Sequence, residues 1–159
     1  MFHGATGMPW PVITRVCASR RARYHAAPPQ RFERTRLMAD PVVLLKKDHR
    51  EAEALLKTLA ASKPGARRKA TLKKLDAALR LHMKIEEVDL YPTVAKLLGK
   101  EDVTEANIEH DLARDGLDKM HELVDKPGFG AAVAMVTAGI KHHVKEEETE
   151  MFPDLKRKL

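Results

Sequence analysis

Cysteine, aromatic residues and long apolar runs are all scarce in this 159-residue chain. The only cysteine is Cys17, which excludes an internal disulfide framework and is typical of the reducing cytoplasm. Because no run of about 18 apolar residues occurs, we expect no membrane-spanning helix and no membrane partner. Strand-like alternation of apolar and polar residues is absent as well, so the sequence favours an all-α fold.

The basic excess of the chain is confined to its first 37 residues. Residues 1–37 contain seven Arg and one acidic residue, Glu33, which accounts for the net charge of +6. The remaining 22 basic and 22 acidic residues cancel, so we expect no nucleic-acid partner. We interpret residues 1–37 as a disordered extension because they show no sustained apolar period; the alternatives are a targeting segment or a true start at Met38. Residues 38–159 are the predicted folded domain.

One sequence pattern occurs twice, at an offset of 61 residues. HMKIEEVDLYP at residues 82–92 corresponds to HVKEEETEMFP at residues 143–153, and the two copies share the His, one Lys, two Glu and the Pro. The same offset carries His49 onto His110. Each half of the domain therefore supplies one separate histidine and one His-x3-Glu pair, which indicates an internal two-fold pseudo-repeat.

Four amphipathic helices are predicted from apolar residues that recur at three- and four-residue steps. The predicted helices span about residues 41–61, 66–98, 102–125 and 131–158. Asp40 is a good N-cap for the first helix and Pro41 suits its first position. Pro92 and Pro153 lie inside the second and fourth helices, so we expect a kink at each. Four such helices with short connections predict an up-down-up-down four-helix bundle.

Ionisable residues interrupt the apolar face of every predicted helix. These candidate site residues are His49, His82, Glu86, His110, His143 and Glu147. Residues i and i+4 differ by roughly 40° around a helix, so both side chains of each His-x3-Glu point into the same space. Buried ionisable groups are costly unless they are paired or bind metal. The pattern therefore predicts a dinuclear metal centre with two histidines for each ion and two bridging carboxylates.

The order His…His-x3-Glu…His…His-x3-Glu, with LYP and FP after the two glutamates, resembles the hemerythrin-like HHE cation-binding family over residues 40–155. The resemblance implies a four-helix bundle with the six residues as metal ligands. It also implies a non-haem di-iron centre, with two iron ions joined by an oxo or hydroxo bridge. The ligand types by themselves do not distinguish iron from manganese.

The chain differs from the oxygen-carrying hemerythrins, which have His-x3-His on the third helix and an Asp as the last ligand. Here Arg114 stands four residues after His110, and the last candidate is Glu147. The chain is more similar to bacterial-type members, which are linked to oxygen, nitric oxide or peroxide responses and to iron handling. We therefore expect a cytoplasmic di-iron protein that interacts with these ligands in stress response or sensing. A di-iron enzyme that decomposes peroxide or acts like a ferroxidase, and an iron store, are the alternatives.

Further polar and aromatic residues lie close to the candidate site. Glu53 follows His49 by four residues, and the offset of 61 places Arg114 at the equivalent position, so we expect a salt bridge between them; the alternative is an additional ligand role for Glu53. Glu87 and Glu148 are rotated by roughly 140° from their histidines and should lie outward or between helices. Tyr91 and its equivalent Phe152 are expected to pack in the core, with donation from Tyr91 to a metal-bound oxygen as the alternative.

Overall fold

A computed structural model describes residues 40–159 of the chain. The predicted disordered extension, residues 1–37, and the proposed start at Met38 lie outside the described residues. Within residues 40–159 the structure consists of helices and turns and contains no strand, which confirms the all-α prediction. No helix in this part of the chain is long and apolar enough to cross a membrane.

Four long helical segments account for the described residues. The helices are α1 (Pro41–Ala60), α2 (Ala66–Ile85), α3 (Tyr91–Leu97), α4 (Glu101–Glu122), α5 (Phe129–Glu146) and α6 (Phe152–Lys158). A π-helical turn, Glu86–Leu90, joins α2 to α3, and a second one, Glu147–Met151, joins α5 to α6. Both α1 and α4 pack against α2 and α5, so the four long helices enclose a common interior.

Local chemistry sets the ends of these helices. The carboxylate of Asp40 accepts a hydrogen bond of 2.9 Å from the Val42 N–H at the start of α1, and Pro41 occupies the first turn as predicted. Gly65 precedes α2 with φ of 134°, and Gly128 precedes α5 with φ of 94°. Residues with a side chain rarely adopt these backbone angles, so glycine permits the chain to reverse at both points.

Each π-helical turn ends two residues before one of the two prolines inside the long helical segments. The Tyr91 N–H donates to the carbonyl of Glu86, and the Phe152 N–H donates to the carbonyl of Glu147. Proline lacks an N–H and its ring clashes with the carbonyl one turn earlier, so a continuous α-helix is unfavourable there. The irregularity predicted at Pro92 therefore takes the form of a wider turn, which begins at a candidate ligand.

The hydrophobic core has two parts, and the candidate site residues lie between them. On α1, Leu45 belongs to one part and Ala52 to the other, with His49 between them. Along the segment from α5 to α6, Ile140 and Met151 bracket the second His-x3-Glu in the same way. The six ionisable residues therefore lie in the middle of the bundle, where apolar packing on both sides restricts access of water.

Candidate metal centre

The structure brings all six predicted site residues together in the interior. His49 lies on α1, His82 on α2, His110 on α4 and His143 on α5, and the two glutamates open the π-helical turns. All six side chains are buried, with at most 4% of any residue exposed. Their assignment as metal ligands stays a prediction, but their convergence on one buried space is observed.

The four histidines form two close pairs. The Nε2 atoms of His49 and His82 are 3.0 Å apart, and those of His110 and His143 are 3.1 Å apart. Zinc binds imidazole nitrogen at about 2.1 Å, and two nitrogens at that distance and at a right angle are separated by about 3 Å. The spacing within each pair therefore fits two nitrogen ligands of one ion.

The two glutamates lie between the histidine pairs but are not equivalent. Glu86 Oε1 is 3.2 Å from His82 Nε2, and Glu86 Oε2 is 3.4 Å from His110 Nε2, so this carboxylate offers one oxygen to each pair. Glu147 Oε2 is 3.3 Å from His49 Nε2 and 3.5 Å from His143 Nε2. Glu86 thus spans the two histidine pairs with its two oxygens, whereas Glu147 directs one oxygen at both pairs.

Several polar atoms of the candidate site are buried without a hydrogen-bond partner. Both oxygens of Glu86, Oε2 of Glu147 and Nδ1 of His82 make no hydrogen bond. An unpaired buried carboxylate is strongly unfavourable, and a bound cation would remove this penalty. The same residues form two overlapping groups that could hold metal ions. The first group is His49, His82, Glu86 and Glu147; the second is Glu86, His110 and His143.

Three further carboxylates orient the imidazoles from outside. Nδ1–H of His49 donates to Glu148 (2.9 Å), that of His110 donates to Glu87 (2.8 Å), and that of His143 donates to Glu109 (2.8 Å). Because an ionised carboxylate only accepts, Nδ1 carries a proton, and in the neutral imidazole Nε2 is left free for a cation. Glu87 and Glu148 thus lie between helices, which is one of the two placements predicted from the sequence. The sequence did not predict that these two residues or Glu109 would accept hydrogen bonds from the imidazoles.

Sequence signals for these outer carboxylates exist. Glu87 and Glu148 directly follow the two candidate glutamates and are related by the offset of 61 residues, and Glu109 directly precedes His110. The position equivalent to Glu109 is Asp48, whose carboxylate lies 3.7 Å from His82 Nδ1. Every candidate histidine therefore faces an outer carboxylate, although at His82 the separation is too long for a hydrogen bond.

The carboxylates control protonation in the metal-free site. Burial acts to lower the pKa of His49, but Glu147 and Glu148 outweigh it, and the pKa is raised. Burial likewise opposes a charge on Glu86, yet the neighbouring histidines lower the pKa of this carboxyl to about 2. The buried glutamate is therefore ionised at neutral pH, which suits a cation.

Tyr91 and Phe152 occupy equivalent positions and both are buried, as predicted. The Tyr91 hydroxyl donates to Glu147 Oε1 at 3.0 Å and lies 3.2 Å from His110 Nε2. Burial, followed by the negative charges of Glu147 and Glu86, raises the pKa of Tyr91, so the phenol keeps its proton. The phenyl ring of Phe152 stacks on His49 with a centroid distance of 6.2 Å. Only one half of the domain therefore adds a hydroxyl to the site.

The predicted salt bridge between Glu53 and Arg114 is wrong. Glu53 instead accepts from Arg50 at 2.9 Å, and Arg114 pairs with Asp111 and with Glu87, the acceptor for His110. The reason is the arrangement of helices, since α1 and α4 each pack mainly against α2 and α5 and are diagonal to one another. Arg114 consequently supports the imidazole of His110 through Glu87.

An apolar groove between α4 and α5 leads to the second histidine pair. Its volume is about 390 Å³, and His110 and His143 lie among its lining residues. Leu112 and Met135 line it as well and are 65% and 74% exposed. The groove therefore connects solvent to candidate ligands through a mostly apolar surface.

Glycines keep this groove open. Gly116 and Gly139 line it, and a Cβ added at Gly139 would meet no atom within 4 Å. At Gly116 an added Cβ would lie 2.5 Å from Val136 Cγ2, so α4 and α5 approach closely there. The positions 61 residues earlier hold Leu55 and Ala78. The two halves of the domain therefore differ at the places that border the groove.

A comparison with protein families matches this arrangement. The family model described as Hemerythrin HHE cation binding domain matches residues 40–155, which include all six candidate residues and all of the four helical segments except the last three residues of α6. Searches of curated proteins and of solved structures gave no significant match. The His and Glu groups in the interior could hold metal ions, as expected for a cation-binding domain. The match covers well over half of the chain, and the chain therefore belongs to the hemerythrin HHE cation-binding family.

Proposed function

We propose that this chain is a non-haem di-iron protein that interacts with dioxygen, nitric oxide or peroxide in an oxidative or nitrosative stress response or in sensing. The observation that carries the proposal is the position of Glu86 between two histidine pairs, with both carboxylate oxygens lacking a hydrogen bond. This arrangement supports two ions that share one carboxylate.

The donor set divides between the two ions. One ion would be held by His49, His82 and Glu147, and the other would be held by His110 and His143. Glu86 would bind both ions. Two bound iron ions would supply a redox couple and coordination positions open to a small ligand. The carboxylates behind the imidazoles fix the free Nε2 atoms towards the centre, and the buried Tyr91 hydroxyl supplies a hydrogen-bond donor there.

The apolar groove supports small uncharged ligands. Dioxygen and nitric oxide are uncharged and lose little hydration on entering a mostly apolar passage, whereas a charged species would lose more hydration free energy there. The first half of the domain carries a charged pair at the equivalent place. Lys74 pairs there with Glu51 at 2.8 Å, whereas the corresponding residues of the groove are Met135 and Leu112. We therefore propose that such ligands approach from the side of His110 and His143.

We also infer that the helices run alternately up and down and that the halves are an internal pseudo-repeat. The short connections favour antiparallel neighbours. Residues related by the offset of 61 make the same kinds of contact, such as His49 with Glu148 and His110 with Glu87. This symmetry would place the shared Glu86 and its equivalent Glu147 on opposite sides of the centre.

Metal analysis tests the ligand assignment. We expect two iron ions per chain in the unmodified protein and the loss of at least one in His82→Ala or Glu147→Ala, because each variant removes one donor. His121→Ala is the matched control, since His121 is 43% exposed and lies outside the candidate site. Unchanged iron content in both site variants, measured on folded protein by elemental analysis, would exclude the assignment.

Visible absorbance of the iron-loaded protein then separates the possible functions. A band that appears and disappears reversibly with dioxygen or nitric oxide supports ligand binding. Catalytic consumption of peroxide would instead indicate an enzyme, and release of iron on reduction would indicate a store. Either of the last two results, without a reversible band, would replace the proposed function.

A further inference from the structure

A second pocket, which is acidic, reaches the candidate centre near the beginning of α4. It has a volume of about 90 Å³ and lies between α4 and the second π-helical turn. Six carboxylates line it: Asp102, Glu105, Glu109, Glu146, Glu147 and Glu150. Within residues 40–159, none of the six forms an ion pair with Lys or Arg, and their only ionic partners are histidines. The pocket therefore concentrates negative charge that the described residues do not neutralise.

A candidate ligand, Glu147, lies at the inner end of this acidic pocket. Glu147 and His143 both line the pocket, and Glu147 is only 1% exposed. Oε2 of Glu147 has no hydrogen-bond partner. A cation that enters the pocket would thus reach Glu147, a carboxylate of the candidate centre with one unpaired oxygen.

Three of the six acidic residues are specific to the second half of the domain. The positions 61 residues before Asp102, Glu105 and Glu146 hold Pro41, Leu44 and Ile85. Of these, Leu44 is 50% exposed and Ile85 is 38% exposed. The internal repeat accounts for Glu109, Glu147 and Glu150, whose equivalents are also acidic, but not for the other three carboxylates. The extra negative charge therefore favours cation access on the side of the second half.

Three residues are arranged as a metal-binding group where the acidic pocket adjoins the apolar groove, a place here called the mouth of the pocket. Glu109 and Glu146 line the pocket, and Glu109 and His142 line the groove. His142 Nε2 lies 3.2 Å from Glu146 Oε1 and 3.5 Å from Glu109 Oε1. Together these residues offer one ligand atom each within 4.8 Å of one another. The other oxygen of Glu109 accepts from Nδ1–H of His143, so Glu109 contacts both the outer group and a candidate ligand of the inner centre.

We propose that Glu109, His142 and Glu146 form an outer divalent-cation site, which captures an ion and passes it through the acidic pocket to Glu147 and His143. The outer site is partly exposed, with His142 58% exposed, and has only three protein ligands, so its ion exchanges faster than a buried one. The carboxylates attract cations from solution and raise their local concentration. Capture at the mouth is independent of the proposed di-iron function, whereas delivery rests on it.

Titration with Mn²⁺ alone tests capture at the mouth. Electron paramagnetic resonance of free Mn²⁺ counts the bound ions in the unmodified protein, in His142→Ala and in His121→Ala. We expect His142→Ala to bind one ion fewer per chain over the titrated range, and His121→Ala to bind as many as the unmodified protein. This difference is independent of how many ions the inner centre binds. Equal binding by the unmodified protein and His142→Ala would overturn the outer site.

The rate of iron loading tests delivery. The double variant Glu105→Gln, Glu150→Gln removes two pocket charges without changing a candidate ligand. We expect it to load Fe²⁺ several-fold more slowly at low salt, with the same final iron content, and the difference to shrink as ionic strength rises. Glu51→Gln, Asp89→Asn removes two exposed carboxylates elsewhere and should load at the unmodified rate.

Two results of the loading experiment would count against parts of the proposal. Equal loading rates for the pocket variant and the control would overturn delivery through the acidic pocket. If the unmodified protein takes up no buried iron, the di-iron function fails and delivery fails with it. The Mn²⁺ difference at His142 then still decides whether the outer site exists.

Discussion

At the scale of single residues, Tyr91 distinguishes the two otherwise similar halves of the site. Its hydroxyl satisfies one oxygen of Glu147, whereas the equivalent Phe152 leaves both oxygens of Glu86 without a hydrogen bond. A hydrogen bond from a neutral donor to a buried carboxylate is stronger than one between neutral groups. The phenol therefore leaves Glu86 with more unpaired carboxylate oxygens than Glu147 to offer to a cation.

We predict that Tyr91→Phe destabilises the metal-free protein while leaving its fold intact. The change removes only the hydroxyl and leaves Glu147 Oε1 buried and unpaired, at a cost of about 1–3 kcal/mol. Thermal unfolding followed by circular dichroism measures the effect as a lower Tm. An unchanged Tm would mean that the hydroxyl and Glu147 do not interact in solution.

The candidate histidines were predictable from the sequence, but the carboxylates behind them were not. His49 and His82 interrupt regular apolar faces, and helical geometry alone places such residues inside. Glu148 lies off that face, and its contact with His49 depends on how α1 and the second π-helical turn approach each other. The prediction that Glu53 pairs with Arg114 was wrong for the same reason. The repeat offset shows which positions in the two halves are equivalent, but it does not give the distance between them.

At the scale of elements, the π-helical turns explain why an aromatic residue reaches each end of the site. In a regular α-helix Tyr91 would be rotated by roughly 140° from Glu86. The wider turn, closed by the hydrogen bond from the Tyr91 N–H to the Glu86 carbonyl, brings both side chains towards the interior. Pro92 predicted a disturbance of the helix, but whether a helix bends or gains a residue depends on the packing around it.

The groove between α4 and α5 gives a prediction at this same scale. Gly139→Leu should fill part of the groove without a backbone clash and slow nitric oxide binding to the reduced, iron-loaded protein several-fold. Helix propensity favours both Leu and Ala over Gly, so stability should not fall. Stopped-flow absorbance measures the binding rate.

Two control variants separate blocking of the groove from other effects. Gly139→Ala increases helix propensity but adds only a small side chain, so it should leave the nitric oxide binding rate nearly unchanged. Ala78→Leu enlarges the equivalent position in the first half and should also have little effect. Equal slowing by Ala78→Leu and Gly139→Leu would show that ligands do not enter on the α4 and α5 side.

At the scale of the whole molecule, the proposed ligand set makes protons and metal ions competitors for the same buried nitrogens. In the metal-free protein the carboxylates raise the pKa of His49 and His110 above the ordinary value of 6.5. Their contribution to stability is therefore complete below pH 6.5 and is lost as the pH rises through the raised pKa values. Glu86 contributes above its ordinary pKa of 4.5 and loses that contribution as the pH falls towards 2.

The metal-free domain should consequently be most stable in weakly acidic solution. We predict that its Tm falls by at least about 3 °C between roughly pH 6 and pH 8.5. A bound ion needs neutral imidazoles, so the stabilisation by metal should increase over the same range, reaching about 4 kcal/mol when free metal is a thousandfold above Kd. Calorimetry with chelator and with Fe²⁺ under anaerobic conditions measures both slopes, and His121→Ala should leave them unchanged because its ring lies outside the interior. A metal-free Tm that rises with pH would show that the buried imidazoles are neutral without metal, and the pKa values of His49 and His110 would then be lowered by burial instead of raised by the carboxylates.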